Sequence, residues 1–376
     1  MSTLDTSIPS AKNAELISVY FNPDRFTAHT CVEQLHNGEV IVTFCETRAL
    51  KHEDFDSVYL VRSLDGGRTF DPDTRVSVWQ PPHHFGSDIP LIKQLSDGSI
   101  LMNHLVNSFH EEKGILEDFG SQSEELIRAN GTEGTWVSRS LDNGHTWDAG
   151  YKINAEPMRW TMPADSVLEL PDGTLLMAVL GQLHTRRERK DQEPIRSVCL
   201  RSDNRGENWE HWSTIAFDPA EIISFDEPAL ARTADGVLVC MMRTEHLPRG
   251  RHQNMWVAFS HNDGESWSRP EATNIWGYPA DLTLLKDGRM LATYGYRREP
   301  YGVRGVISED GLSWDVANEF IIDEGGCPPP ESTVDWYHIG YPHTIQLQDG
   351  TMLTVYHRFT DSEPYRQYVV GVRWEI

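Results

Sequence analysis

The chain has 376 residues, with 57 Asp and Glu against 33 Lys and Arg and a formal charge of −24. That balance excludes sequence-independent binding to nucleic acid and adhesion to anionic lipid, which both need a basic surface, and no run approaches the ~18 apolar residues of a membrane span. The opening residues lack the basic and apolar stretches of a secretory leader, and the five cysteines never fall in CxxC spacing, so a reduced cytoplasmic protein without metal or cofactor is expected.

In chain order, AELISVYF (Ala14 to Phe21) reads as a strand. LHNGEVIVTF follows, two apolar strands around Gly38, and then SLDGGRTF (Ser63 to Phe70). The same alternation recurs as LSDGSILMNHL (Gly98) with SLDNGHTW (Ser140 to Trp147), and as LPDGTLLMAVL (Gly173) with SDNRGENW (Ser202 to Trp209). It continues as TADGVLVCMM (Gly236) with SHNDGESW (Ser260 to Trp267), LKDGRMLATY (Gly288) with SEDGLSW (Ser308 to Trp314), and LQDGTMLTVY (Gly350) alone. Asn-Gly and Asp-Gly between apolar strands predict hairpins with type I′ turns. Between the repeats, Glu111 to Asn130 is the best, weak helical stretch, RRERK (Arg186 to Lys190) reads as a solvated loop, and CPPPE (Cys327 to Glu331) as a stiff connection.

The turn glycines are 60, 75, 63, 52 and 62 residues apart, and the interval from Gly350 round to Gly38 is 64. A period of about 63 residues, long enough for four short strands, predicts an all-β chain: a six-bladed β-propeller of four-stranded blades forming a single domain over residues 1–376. The strand Ala14 to Phe21 is expected to complete the sixth blade and close the ring.

If each inner strand runs from an upper rim down to its turn, residues just before and just after each hairpin share that rim. This selects His29, Asp88, Asp165, Asp226, Glu227, Asp281, Tyr341 and His343 before the glycines, and Arg48, His104, Arg243, Arg297 and Arg358 after them. Arginines gathered at one mouth of an acidic protein point to an anionic ligand. Trp160 and Trp276 precede inner strands and could stack on sugar rings.

The Ser-x-Asp/Asn-x-Gly-x-x-Trp/Phe segments are Asp-boxes, and the whole chain resembles the sialidase superfamily. The resemblance implies a base Glu nine residues before a middle turn glycine and an Arg seven after it, matched by Glu227 and Arg243 around Gly236. It implies a nucleophilic Tyr nine residues before a late glycine, matched by Tyr341. It implies an acid Asp beyond the first hairpin, where CETRALKHEDFD offers Arg48 and then Asp54 or Asp56, with Asp54 preferred. The family's first carboxylate-clamping Arg and the Glu that braces it are replaced by Ala28 and His357, and Arg297, Arg298 and Arg304 are alternatives for the third Arg.

The resemblance therefore implies an exo-glycosidase removing a terminal, acidic sugar, with Tyr341 as nucleophile, Glu227 as its base and Asp54 as acid. Substrate contacts are expected from Arg243, Arg48, Arg297, Asp88, Asp165, Asp281, His343, Trp160 and Trp276. A phenol suits a carbon that bears a carboxylate, because a carboxylate nucleophile would be repelled. The alternatives are a polysaccharide lyase acting on uronate sugars, using Tyr341 with a nearby His, and a carbohydrate-binding propeller without catalysis. All three take carbohydrate as partner.

Overall fold

The computed structural model describes residues 8–47, 55–79, 85–111, 128–183, 194–247, 251–329 and 339–376. Six antiparallel sheets follow one another in the chain, each built from four main strands. The inner strands are Phe26–Gln34, Phe85–Gln94, Met158–Pro163 continued by Leu168–Glu169, Ile223–Arg232, Ala280–Leu284 and Gly340–Gln346. The first strand, Lys12–Tyr20, pairs with the last, Gln367–Glu375, and makes the outer edge of blade six. Ring closure thus joins the two ends of the described chain by backbone hydrogen bonds.

Both faces of each blade are apolar, because each blade packs against two neighbours. In Val40–Thr47 the side chains alternate. Val40, Val42 and Phe44 enter the core shared with blade six, while Ile41 and Cys45 enter the core shared with blade two. The same division gives one apolar layer at every junction between neighbouring blades, six in all among the described residues.

The hairpins form where the Asn-Gly and Asp-Gly pairs stand, but their turns are not type I′. Among their central residues only the glycine has positive φ, from +87° to +92° across the six. Gly38 N–H donates to Leu35 O, 2.8 Å, and Leu35 N–H donates to Glu39 O, 2.8 Å, and the same pair of bonds recurs in the other five. This is a turn over the two residues before the glycine followed by a glycine bulge. In five of the turns the Asn or Asp side chain then accepts the N–H two residues on, as Asp97 does from Ser99 at 2.9 Å, and at Gly236 the Val237 N–H donates to Thr233 Oγ1 at 3.1 Å.

Each Asp-box closes on itself. Ser63 Oγ accepts the Gly67 N–H at 2.8 Å and Asp65 accepts the Thr69 N–H at 2.9 Å, with equivalent bonds in the box at Ser140. The helical reading near Glu111 to Asn130 fails at both ends. Strand Ile100–Glu111 runs through its start and strand Arg128–Ser140 through its finish. There the two strands pair with each other, Glu111 facing Arg128, while residues 112–127 lie outside the described residues.

Candidate functional site

Four inner strands carry the same one-residue bulge at the same point. Register slips between Ala28 and Cys31, Asp88 and Leu91, Asp226 and Ala229, and Gly340 and His343. The residue nine before the turn glycine is then left-handed: His29 (φ 48°), Ile89 (52°), Glu227 (44°) and Tyr341 (52°). Positive φ is unfavourable for side chains other than Gly and is concentrated at functional sites. Here it turns three polar side chains out of the pleat toward a common centre.

At that centre the Tyr341 hydroxyl donates to Glu227 Oε1 at 2.6 Å. Arg243 Nη1 lies 3.0 and 3.1 Å from the two Glu227 oxygens, and its Nη2 donates to Glu245. The guanidinium thus bridges two carboxylates. The Glu227–Arg243 contact follows from register, since Arg243 faces Asp226 across the hairpin and the bulge next to Asp226 redirects Glu227. Burial alone would raise the pKa of Glu227, but Arg243, the Tyr341 hydrogen bond and Arg297 together hold it below the usual glutamate value. Burial, and then the Glu227 charge, push the Tyr341 phenol well above its ordinary value. In the resting site the proton therefore stays on Tyr341, with an ionised acceptor already in contact.

Of the three arginine alternatives, Arg297 is the one against the tyrosine. Its guanidinium carbon is 5.3 Å from the Tyr341 ring centre and 4.7 Å from that of Tyr278, and its Nε donates to Ile339 O at 3.1 Å. The buried Nη2 of Arg297 has no protein partner among the described residues. Arg304 is instead paired with Glu319 at 2.7 Å, and Arg298 lies over Trp276 at 3.4 Å. Arg298 therefore covers one face of Trp276, and Trp160 is tied through its indole N–H to Gln182 at 3.1 Å.

A second side of the Tyr341 ring is histidine. His29 meets it edge-on with ring centres 4.5 Å apart, and His357 stacks on it at 5.6 Å. The His29 backbone N–H donates to His357 Nδ1 at 3.2 Å, and His29 Nδ1 is 2.5 Å from Asp88 Oδ1. His357, one of the two departures from the sialidase pattern, thus meets His29, the residue after the other departure, Ala28.

Asp165, Asp281 and His343 form another group. Their ligating atoms lie within 4.8 Å of one another, and they line a cavity of about 480 Å³ along the propeller axis. Asp165 accepts the Leu230 N–H and Asp281 the Thr344 N–H, each at 2.8 Å. Burial and then the Asp281 charge raise Asp165 to about 6. Burial opposes charge on His343, but Cys31 and Asp281 keep its pKa high. This group has the donor types of a cation site, although no metal-binding spacing is visible in the sequence.

His104, expected at the rim, is wholly buried against Ser87, 2.6 Å away, and burial lowers its pKa to about 3. Arg358 is spent on Asp323 and Asp361, at 2.8 and 2.5 Å. Arg48, Asp54 and the RRERK run lie outside the described residues, as does the side chain of Asp56. The contacts that sequence spacing did not indicate are His29 with Asp88, and Glu245 and Tyr278 around Arg243. Its place nine residues before the turn glycine, shared with Glu227 and Tyr341, was the available signal for His29.

Gly340 sets the approach to Tyr341. Its φ is +102°, and a Cβ there would stand 2.9 Å from the Gly295 Cα of blade five. Gly340→Ala is expected to lower stability by about 1–3 kcal/mol, read as a lower denaturant midpoint at unchanged m-value.

These features define a six-bladed propeller whose axial mouth holds a partly buried Tyr–Glu–Arg centre. The model of the BNR repeat-like domain matches residues 90–355, and the chain belongs to that family. Among solved structures, a Dyadobacter fermentans protein of unknown function superposes with TM-score 0.79 at 23% identity, covering 97% of this chain and 98% of that one. The intramolecular trans-sialidase of Ruminococcus gnavus gives TM-score 0.66 at 12% identity, covering 96% and 97%. The α-L-arabinanase of Penicillium chrysogenum gives 0.59 at 14%, covering 97% of both chains. At these identities the likeness is one of fold. No curated protein matches the chain.

Proposed function

We propose that the protein is a retaining exo-glycosidase of the sialidase type that releases a terminal acidic sugar. The observation that carries this reading is the 2.6 Å hydrogen bond from Tyr341 to a Glu227 held ionised by Arg243. As Tyr341 Oη attacks the anomeric carbon, its proton passes along that bond to Glu227. The bond to the leaving oxygen breaks, and Asp54 is assigned to protonate that oxygen. Water, deprotonated by the same carboxylate, then displaces Tyr341, which recovers its proton from Glu227. Two inversions give net retention.

Arg297 is assigned to the sugar's anionic group, supported by its buried, unpartnered Nη2 beside the Tyr341 ring. The sialidases among the fold neighbours agree with this class of substrate; the Ruminococcus gnavus trans-sialidase was solved with oseltamivir carboxylate. Of the other sequence-derived contacts, Asp88 reaches the centre through His29. Arg48, Trp160 and Trp276 are assigned to the outer subsite. Asp165, Asp281 and His343 are assigned to the channel beneath the sugar.

Hydrolysis of a fluorogenic aryl sialoside, with the anomer of the first product read by NMR, tests the reading. Retained configuration is expected; inversion, or no turnover of any acidic glycoside, contradicts it. The acid limb of kcat/KM should lie below 4.5, the ordinary glutamate value, because Glu227 is lowered. A folded Arg243→Gln variant should move that limb upward, since burial then acts with less opposition. A uronate lyase is the second reading, favoured by the two imidazoles against Tyr341. It would yield an ultraviolet-absorbing unsaturated uronate instead of a saturated sugar.

A further inference from the structure

His29 occupies the same strained bulge position as Glu227 and Tyr341, yet the steps above give it no task. Its surroundings come from four strands. Asp88 on Phe85–Gln94 lies 2.5 Å from Nδ1, and that same oxygen accepts the Ile89 N–H at 2.7 Å. Cys45 on Val40–Thr47 donates to Asp88 at 3.5 Å. Tyr341 on Gly340–Gln346 presents its ring, and His357 on Met352–Phe359 accepts the His29 backbone N–H through Nδ1. Asp88 is therefore placed as an anion that fixes His29 with a proton on Nδ1.

The charges nearby leave room for one more positive group. Arg243 is shared between Glu227 and Glu245, so Arg297 is the guanidinium at the Tyr341 ring that these carboxylates do not bridge. A bound anionic sugar adds a negative charge beside Asp88. Of the side chains around it, an imidazole gains a proton most readily near neutral pH.

We propose that His29 is a specificity-determining residue for the sugar's anionic group. The group is met by Arg297 and by the His29 imidazolium that Asp88 holds, so an anionic ligand is bound together with one proton. The inference rests on the glycosidase reading of the same site. An anion clamp made of arginines alone takes up no proton, because guanidinium does not titrate in this range. Proton uptake therefore separates the two arrangements.

The test is calorimetric titration of the full chain with 2,3-didehydro-2-deoxy-N-acetylneuraminic acid, at mildly alkaline pH, in two buffers of different ionisation enthalpy. The expected result is uptake approaching one proton per site, with affinity falling about tenfold per pH unit at full coupling. His29→Gln and His29→Asn should abolish the uptake and weaken binding. The Asn variant places an N–H donor where Nδ1 stood, which keeps the Asp88 contact and guards against misfolding. Asp88→Asn should reduce the uptake, and His357→Gln should keep it.

Binding without proton uptake, or uptake that persists in both His29 variants, overturns the role of His29 and leaves the glycosidase reading standing. Failure of the wild type both to bind this anion and to hydrolyse any acidic glycoside overturns both.

Discussion

Tyr341→Phe is expected to lower kcat on an aryl sialoside by at least about 10³-fold, the scale seen when a nucleophile acting as part of a unit is removed. The change deletes one oxygen and leaves the ring against His29, His357 and Arg297, so the fold should hold. The loss should fall on kcat, because the phenol oxygen forms its bond to the sugar in the reaction and not on binding. Glu227 loses the hydrogen bond that helps to lower its pKa but keeps Arg243. Steady-state kinetics with circular dichroism of both proteins checks the result. Turnover within a factor of a few of wild type would show that Tyr341 is a strand residue and nothing more.

Glu227→Gln should reduce kcat by about 10²–10⁴-fold, the usual contribution of a positioned base. The amide keeps the shape of the side chain but cannot take the Tyr341 proton. It also leaves Arg243, partly buried, with Glu245 as the other carboxylate it pairs with. Breaking one arm of a buried ion pair is costly, so the denaturant midpoint should fall as well. The two effects separate by experiment. Glu227→Asp preserves the charge and should restore part of the stability while its shorter reach leaves the rate low. Equal rates for the Gln variant and wild type would remove the base from the scheme.

The fold was legible because its signals are local. Each Asp-Gly turn and each Ser-x-Asp-x-Gly box is fixed by bonds spanning four or five residues, such as Gly67 to Ser63 and Leu35 to Glu39. The turn geometry was misread because positive φ at the glycine serves a glycine bulge as well as a type I′ turn, and the sequence does not distinguish them. The Glu227–Arg243–Tyr341 centre was reachable because its members stand at fixed distances from turn glycines. The choice of Arg297 over Arg298 and Arg304 was not, since Glu319 and Trp276 claim the other two only in three dimensions.

The His29–His357 contact was equally hidden. It joins residues 328 apart, across the junction between first and last blades, and depends on a bulge that spacing alone does not announce. His104 went the other way. Its position after the turn suggested the rim, but it is wholly buried among Ser87 and Ser138 of its own blade and Trp79 of blade one.

In the proposed reaction Tyr341 carries the sugar covalently. The most direct measurement is mass spectrometry of the full chain after incubation with 2,3-difluoro-N-acetylneuraminic acid, which forms the glycosyl–enzyme and retards its hydrolysis. One adduct per chain is expected, mapped by peptide fragmentation to Tyr341 and missing from Tyr341→Phe. An adduct on another residue, or none while the wild type hydrolyses sialosides, would contradict it.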